Sequence, residues 1–496
     1  MEGSLGAWRK VGVIFLIVGG ILNMFFGIVT FIWTPFDVLM NERLKMVPGL
    51  PPFDWWKTPP DEVFLRVYVF NVTNGPQFLN GTDEKLKFEE IGPFVFLEKL
   101  QHDNVTFNDN STMTYTATRT AIFRPELTNV DLNATLILPN LAVLGISSYL
   151  ENSPFFAKIG FKFLLRRLDS KPFTNITVYN YFWNYTDPLL HTARKLAPFL
   201  VPVSNMGILN RIYSDFRDEV TVYIGPQNGR RFFNMDRFHG SPRFGYWSDE
   251  RCDAVQGATE GVSYPQFLTR NDSLLYFRKT ICRITPIYYV GDVVKEGMDA
   301  FRFELPDDIY DRYEDPEGDC FAGEYSEPLP SGLSDLSPCY YGFPIAASNP
   351  HFLYGDPSLI DNIEGMKPER SKHISFAEVE PTTGVPMESC ARSQSNLVLT
   401  KLTGLPRSIE KFSGLVLPMF WAEYHQMSLP PYIYYLIYFT VMILPDLQAW
   451  MSVLMLIGGG GMLTAGTISV VRARRSKPLA SYNSLDLGPS TSSSDC

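Results

Sequence analysis

Two long uncharged apolar segments bracket the chain and leave most of its length between them. Val11–Trp33 is 23 residues without a charge, and Trp450–Val471 is 22. A helix rises about 1.5 Å per residue, so each segment is long enough to cross a hydrocarbon core of about 30 Å. We therefore expect a transmembrane helix at residues 11–33, another at residues 450–471, and one large domain at residues 34–449.

Basic residues flank both segments on the side of the chain ends. Arg9 and Lys10 precede the first segment, and four cations lie in residues 472–477 after the second. The positive-inside rule then puts the tails, residues 1–10 and 472–496, in the cytosol. The first segment is too long for a signal-peptide core and lacks a small-residue cleavage site, which favours an uncleaved anchor. The cations after the second segment are Arg472, Arg474, Arg475 and Lys477.

The net charge and the glycosylation sequons indicate the surroundings and the partners of the large domain. The chain carries −10, and the tails carry +1 and +2, which leaves −13 for residues 34–449 and argues against a nucleic-acid partner. Eight Asn-x-Ser/Thr sequons fall in this domain and none in the tails, which indicates an extracellular or lumenal face. The sequon asparagines are Asn71, Asn80, Asn104, Asn110, Asn133, Asn175, Asn184 and Asn271.

Five of the six cysteines also lie in this domain, which fits a compartment where disulfides form. Five is an odd number, so one cysteine is expected to stay unpaired. No two of them have the short spacing of zinc ligands and no His-Glu-x-x-His occurs, so no metal is expected. The five are Cys252, Cys282, Cys320, Cys339 and Cys390.

Short runs of β-branched and aromatic residues recur between turn signals. Val63–Phe70, Val220–Ile224 and Ile284–Val290 read as strands, and Pro286 places the last one at an edge or bulge. Many such strands predict a mostly antiparallel sheet or barrel. Near the end of the domain, Tyr432–Leu444 reads as a helix that Pro445 terminates before the second anchor.

The stretch Leu138–Leu168 lacks turn signals and is predicted to be helical. On a helical projection of Pro154–Leu168, the cations Lys158, Lys162 and Arg166 form one stripe. Two apolar faces lie beside it. Two interpretations stay open: a helix packed in a bundle with solvated cations, or a docking surface for an apolar, anionic ligand. The faces are Phe156, Ile159 and Phe163 on one side and Phe161, Leu164 and Leu168 on the other; Arg167 and Lys171 add to the charge, against a single acid, Asp169.

An ordered set of short segments resembles the class B scavenger receptor family, which includes fatty-acid translocase, the high-density-lipoprotein receptor, the lysosomal integral membrane protein and insect sensory neuron membrane proteins. Glu89–Phe96 resembles the family's Glu-x-Gly-Pro-Tyr segment, and Ser263-Tyr264-Pro265 resembles its Ser-Phe-Pro. Further matching segments are Cys282-Arg283, Phe303–Pro306, Pro350–Tyr354 and Val379–Gly384.

The resemblance implies an α+β fold: an antiparallel β-barrel core, an apical helical bundle at about residues 138–168, and an apolar tunnel through the barrel. It places the family's ligand-binding cations in the region of the basic stripe. It also implies a Cys282–Cys339 disulfide and a Cys252–Cys320 disulfide, with Cys390 unpaired. Cys252–Cys390 is the competing pairing.

The function that the resemblance implies is a cell-surface receptor that binds lipids or anionic, lipoprotein-like particles. Lipid, whether fatty acid, sterol or carotenoid, would pass without a cofactor or energy source through the tunnel to the membrane. The alternative is an endosomal or lysosomal trafficking or adhesion receptor with a protein partner.

The C-terminal tail contains the pattern Tyr-x-x-apolar at Tyr482 and Leu485, which sorting adaptors read. Adaptor proteins and a second copy of the chain are the other partners considered. None of the six histidines falls in a metal or nucleophile motif and no Gly-x-Ser-x-Gly occurs, so an enzyme is not expected.

Overall fold

The computed structural model describes residues 2–60, 62–151, 153–196, 198, 201–214, 217–312, 319–321 and 328–475. The chain divides into two compact units, one formed by its two ends (up to Leu39 and from Phe439) and one by Met40–Tyr438. The helices are α1 (Glu2–Ile32), α2 (Pro35–Leu44), α3 (Pro51–Lys57), α4 (Gly75–Asn80), α5 (Leu141–Tyr149), α6 (Phe155–Arg167), α7 (Val178–Trp183), α8 (Pro188–Leu196), α9 (Ile208–Ser214), α10 (Glu250–Asp253), α11 (Ser358–Asp361), α12 (Arg370–His373), α13 (Arg407–Glu410), α14 (Pro431–Tyr438) and α15 (Leu444–Arg475).

The strands belong to the unit Met40–Tyr438. They are β1 (Val63–Val72), β2 (Leu86–Asn108), β3 (Thr112–Phe123), β4 (Thr135–Pro139), β5 (Phe173–Thr177), β6 (Arg217–Tyr223), β7 (Met235–Phe238), β8 (Ala258–Thr259), β9 (Ser273–Arg278), β10 (Arg283–Lys295), β11 (Met298–Glu304), β12 (Ser334–Asp335), β13 (Ile345–Ser348), β14 (Ile363–Glu364), β15 (Phe376–Glu380), β16 (Val385–Val398) and β17 (Val416–Gln426).

Helices α1 and α15 pair as an antiparallel hairpin, and each is long and apolar enough to cross a membrane. The hydroxyl groups of Thr30 and Ser452 form a hydrogen bond between the two helices, with their oxygens 2.9 Å apart. A Cβ added to Gly459 would lie 2.9 Å from the carbonyl oxygen of Gly20, so a larger residue there would push the two backbones apart. A Cβ added to Gly466 would lie 2.8 Å from a side-chain carbon of Ile17. Small residues therefore set the close approach of the two helices.

The predicted stop at Pro445 is wrong. A π-helical turn, Phe439–Ile443, connects α14 to α15, and Pro445 is the second residue of α15. A proline is tolerated in the first turn of a helix because its missing N–H has no required partner there. The wider π turn carries the chain past this position without ending the helix.

Twelve strands form a nearly closed, curled sheet in the order β7-β6-β3-β2-β1-β17-β16-β15-β11-β10-β9-β8. The two ends of this order meet. The rings of Phe238 on β7 and Phe277 on β9 are 5.0 Å apart, and the Gly257 N–H, just before β8, donates to the Met235 carbonyl on β7 at 3.0 Å. All pairs along the path are antiparallel except β8 with β9, which confirms the predicted antiparallel barrel.

Two of the three predicted strands lie within β1 and β10, and the third, Val220–Ile224, matches β6 except for Ile224, which follows the last residue of that strand. Pro286 pairs with Leu275 of β9, whereas the pairing of β10 with β11 begins only at Tyr288. The missing N–H of the proline is therefore on a side where β10 has no partner, as its edge placement predicted.

The predicted helical stretch Leu138–Leu168 is two helices, and its first two residues are in β4 instead. Leu138 pairs with Thr174 of β5, and α5 starts after Asn140, whose side chain accepts a hydrogen bond from the Val143 N–H at 3.1 Å. This capping bond fixes the helix start. Residues 150–154 separate α5 from α6, and Pro154 immediately precedes α6.

Candidate functional site

Helix α6 has one buried and one exposed apolar face. Phe161 and Leu165 are buried in the main hydrophobic core, and Leu164 and Leu168 pack against it. The opposite face is uncovered: Phe155, Phe156 and Phe163 are 71%, 83% and 65% exposed, and Ile159 is 44% exposed. Of the two predicted apolar faces, the one containing Phe161 belongs to the core and the one containing Phe156 faces solvent.

Cations border the exposed aromatic face on both sides. At 100° per residue, Lys158 and Lys162 project on one side of the apolar strip and Arg167 projects on the other, while Arg166 falls between Phe155 and Ile159. Lys158 and Lys162 are half-buried, whereas both arginines are exposed. None of the four has a carboxylate within ion-pair distance among the described residues. We call this surface the α6 face; it comprises Phe155, Phe156, Lys158, Ile159, Lys162, Phe163, Arg166 and Arg167.

Lys171 lies beyond the end of α6 and is largely exposed. Its ammonium is 3.5 Å from the carboxylate of Asp169, which is also exposed. An exposed pair of this kind contributes little, so Lys171 remains available to an anionic ligand.

The disulfides are Cys252–Cys320 and Cys282–Cys339, with Cα–Cα distances of 6.0 and 6.2 Å. Cys390 is buried and unpaired in β16, so the competing Cys252–Cys390 pairing is not the one formed. Burial raises the pKa of the Cys390 thiol, which keeps it protonated.

Cys390 lies next to two other residue types that can bind metals, Glu423 and His425. However, the carboxylate of Glu423 already accepts 2.7 Å hydrogen bonds from Arg66 and Arg392. His425 is 2.8 Å from Glu388. With two guanidiniums on the central carboxylate and a protonated thiol, this cluster is built as an ion-pair network.

Seven of the eight sequon asparagines are exposed, and Asn71 differs from the others. It lies in β1, is half-buried, and its side-chain oxygen accepts a hydrogen bond from the Ile137 N–H at 2.9 Å. The seven exposed asparagines are Asn80, Asn104, Asn110, Asn133, Asn175, Asn184 and Asn271.

The short segments that carry the family resemblance contact one another in space. Glu90, from the first segment, accepts hydrogen bonds at 2.7 Å from the Trp421 indole and from His351. His351 Nδ1 accepts from the Lys367 N–H, so it is Nε2 that carries the proton donated to Glu90. Between two further segments, the Tyr264 N–H donates to the Gly384 carbonyl at 2.8 Å.

Comparison with known proteins supports the family resemblance that these segments carry. The CD36 family model matches residues 11–470. The chain is 32% identical to scavenger receptor class B member 1 of Mus musculus over 432 residues, which cover 85% of this chain and 82% of that protein. It is 27% identical to lysosome membrane protein 2 of Homo sapiens over 377 residues, covering 74% and 75%. The chain belongs to the CD36 family.

CD36-family membership confirms the predicted class B scavenger receptor and supports a receptor function. Of the predicted site residues, the structure brings the cations Lys158, Lys162, Arg166 and Arg167 together with the predicted apolar residues Phe156, Ile159 and Phe163 on the α6 face. Tyr482 and Leu485 lie outside the described residues, so the sorting motif stays a sequence prediction.

Sequence reasoning missed a group of polar side chains inside the barrel. Arg119, on β3, donates to Glu98, on β2, at 2.7 Å, and Tyr213 donates to the same carboxylate at 2.7 Å. One signal was present: Arg119 alternates with the small residues Ala117 and Ala121, so it shares their inward-facing side of the strand.

Proposed function

We propose that the α6 face docks the receptor onto particles with an anionic lipid surface. The observation that carries this proposal is the exposed aromatic strip. Large apolar side chains on a monomer's surface mark a binding site, and aromatic residues flanked by cations suit the boundary between lipid headgroups and acyl chains. The surrounding domain carries −13, so the cations on this helix are a local reversal of charge that favours an anionic partner.

Lipid released at the docked surface then passes down its gradient through the barrel interior toward the membrane. Each CH₂ group kept out of water is worth about 0.8 kcal/mol, so a covered path makes this transfer possible without an energy source. In this proposal the protein is a receptor and not an enzyme.

The proposed topology places both chain ends in the cytosol and the unit Met40–Tyr438 at the cell surface. The flanking cations support this orientation. Epitope tags at the two ends should be accessible to antibody only after the cells are permeabilised; labelling of intact cells would contradict the topology.

Docking is tested with cells that express the full chain and with fluorescent vesicles of phosphatidylcholine, with or without phosphatidylserine. The charge variant replaces Lys158, Lys162 and Arg166 by Gln. Each cation near an anionic surface contributes roughly 1 kcal/mol at low salt, so binding of the anionic vesicles should fall by about a hundredfold. The matched control replaces the exposed lysines Lys85, Lys99 and Lys367 by Gln and should bind as the unmodified chain does.

The aromatic variant, Phe156→Ser with Phe163→Ser, separates insertion into lipid from simple attraction. It keeps every cation but removes two apolar anchors, each worth about 1.5–3 kcal/mol when buried. It should weaken binding even at high salt, where the charge variant no longer differs from the unmodified chain. Unchanged vesicle binding in both variants would refute the docking role.

A further inference from the structure

Polar side chains from distant strands meet inside the barrel. Arg278, on β9, lies 5.3 Å from the ring of Tyr424 on β17, although four strands separate β9 from β17 in the sheet. Tyr276, also on β9, acts electrostatically on Arg119 of β3, and β3 and β9 are not neighbours either. Contacts between such strands must cross the interior. We call the six residues at the centre the interior polar cluster: Glu98, Tyr115, Arg119, Tyr213, Glu260 and Tyr276.

Two carboxylates and one guanidinium lie at the centre of this cluster. Glu98 accepts from Arg119 and Tyr213 at 2.7 Å each, with both of its oxygens in use. Glu260 accepts from the Tyr115 hydroxyl at 2.6 Å through one oxygen. Both carboxylates raise the pKa of Arg119, which therefore stays charged.

Two hydrogen-bonding groups in the cluster remain open within the described part of the chain. The second oxygen of Glu260 has no hydrogen-bond partner there, and neither has the Tyr276 hydroxyl. The two residues are adjacent: Tyr276 pairs in register with Thr259, and its ring would touch a Cβ placed on Gly261 at 2.8 Å. Both residues are half-buried, so neither is completely enclosed by its neighbours.

We infer that Glu260 and Tyr276 form a binding site for the hydroxyl group of a lipid alcohol inside the barrel. One hydroxyl both donates and accepts, so it can donate to the open oxygen of Glu260 and accept from the Tyr276 phenol. The apolar remainder of the lipid would lie along the hydrophobic core that lines the same interior. This inference rests on the proposed passage of lipid through the barrel and specifies which headgroup is held there.

The charges of the interior disfavour a carboxylate at this point. Arg119 already faces Glu98 and Glu260, and Lys279 is paired with Asp218 at 2.5 Å. An incoming carboxylate would meet two carboxylates that already share one guanidinium, and a buried charge without its own partner is strongly unfavourable. A hydroxyl adds no charge, so the site discriminates by headgroup.

The test uses the full chain in phosphatidylcholine nanodiscs and three photoactivatable probes of equal chain length: hexadecanol, palmitic acid and hexadecane. After irradiation, labelled peptides that cover β3, β9 and residues 258–264 are quantified by mass spectrometry. Hexadecanol should label these peptides at least about fivefold more than either other probe, since one net hydrogen bond corresponds to about that ratio.

Tyr276→Phe and Glu260→Met should each remove this preference, whereas Glu260→Gln, which keeps an acceptor oxygen, should retain part of it. Tyr288→Phe is the matched control, because Tyr288 is exposed on β10. Melting curves identify any variant that fails to fold. Tyr276→Phe removes only one oxygen, so it is expected to fold and to test the site even if Glu260→Met does not fold.

The outcomes separate this inference from the proposed function. Equal interior labelling by all three probes, or hexadecanol labelling that Tyr276→Phe leaves unchanged, overturns the headgroup site but leaves lipid passage intact. No interior labelling by any probe overturns the passage itself, while vesicle docking at the α6 face is decided independently by the variants of that helix.

Discussion

Two aromatic-rich regions of this molecule differ in which aromatic residue they contain and in whether that residue is exposed. The α6 face exposes three phenylalanines among unpaired cations, whereas the barrel interior encloses tyrosines whose hydroxyls bind carboxylates. Phenylalanine has no polar group to place, so its exposure is unfavourable unless a ligand covers it. Tyrosine combines an apolar ring with a hydrogen-bonding end, which suits an interior that holds buried charges among apolar side chains.

The two regions differ in how well they tolerate substitution. On α6 the exposed side chains support nothing beneath them, because a separate face of the helix, with Phe161 and Leu165, packs on the core. Inside the barrel each charged group depends on its neighbours. Substitutions should therefore affect ligand binding on α6 and folding in the interior.

The largest expected effect is from Glu98→Leu. It leaves the Arg119 guanidinium without its closest carboxylate in the interior, and removing one partner of a buried pair costs about 3–5 kcal/mol. Phe163→Ser, on the exposed α6 face, should change stability by less than about 0.5 kcal/mol. Denaturant unfolding of the detergent-solubilised chain, followed by tryptophan fluorescence, measures both.

A double variant sharpens this prediction. Replacing Glu98 and Arg119 together by Leu removes the unpaired guanidinium. Glu260 then loses its cation, but burial already raises the pKa of Glu260 and Arg119 no longer lowers it, so this carboxyl can take up a proton. The double variant should therefore recover part of the stability that Glu98→Leu loses. If Glu98→Leu were as stable as Phe163→Ser, the interior pair would have no structural role and the contrast between the two regions would fail.

Acidification should affect the interior and spare α6. Burial lowers the pKa of His102 to about 3 and that of His373 to about 4, against about 6.5 in an unfolded chain. The unfolded chain therefore binds more protons below pH 6.5, and stability falls as the pH drops from 6.5 toward 4. The α6 face, by contrast, contains no histidine and no carboxylate.

The measurement compares melting temperatures at pH 7.5 and pH 4.5. The unmodified chain should melt at a clearly lower temperature in acid, and His102→Phe should lose less, because it has no proton to gain. Binding of phosphatidylserine vesicles at pH 5 should remain. A melting temperature that is the same at both pH values would contradict the burial of these histidines as neutral groups.

The sequence predicts the regular parts of this molecule well and its sites unevenly. Length and charge pattern predict the two long apolar helices, α1 and α15, and alternation predicts strands such as β1, since both depend on local spacing. Periodicity found both apolar faces of α6 but could not tell which one is buried, because that depends on what packs against the helix. The interior polar cluster escaped prediction because Glu98, Glu260 and Tyr276 come together only through the closure of the sheet.

The last prediction compares the seven exposed sequon asparagines with the half-buried Asn71. We expect glycans at the seven exposed asparagines and none at Asn71, whose side chain holds the Ile137 N–H within the fold. Glycopeptide mass spectrometry of the chain from animal cells decides this.

Replacing an exposed asparagine such as Asn133 by Gln should shift stability by less than about 0.5 kcal/mol. Replacing Asn71 should cost about 1–3 kcal/mol, since it leaves a backbone donor unpaired. An Asn71 that is fully glycosylated would mean that this bond between β1 and β4 is absent in the native protein.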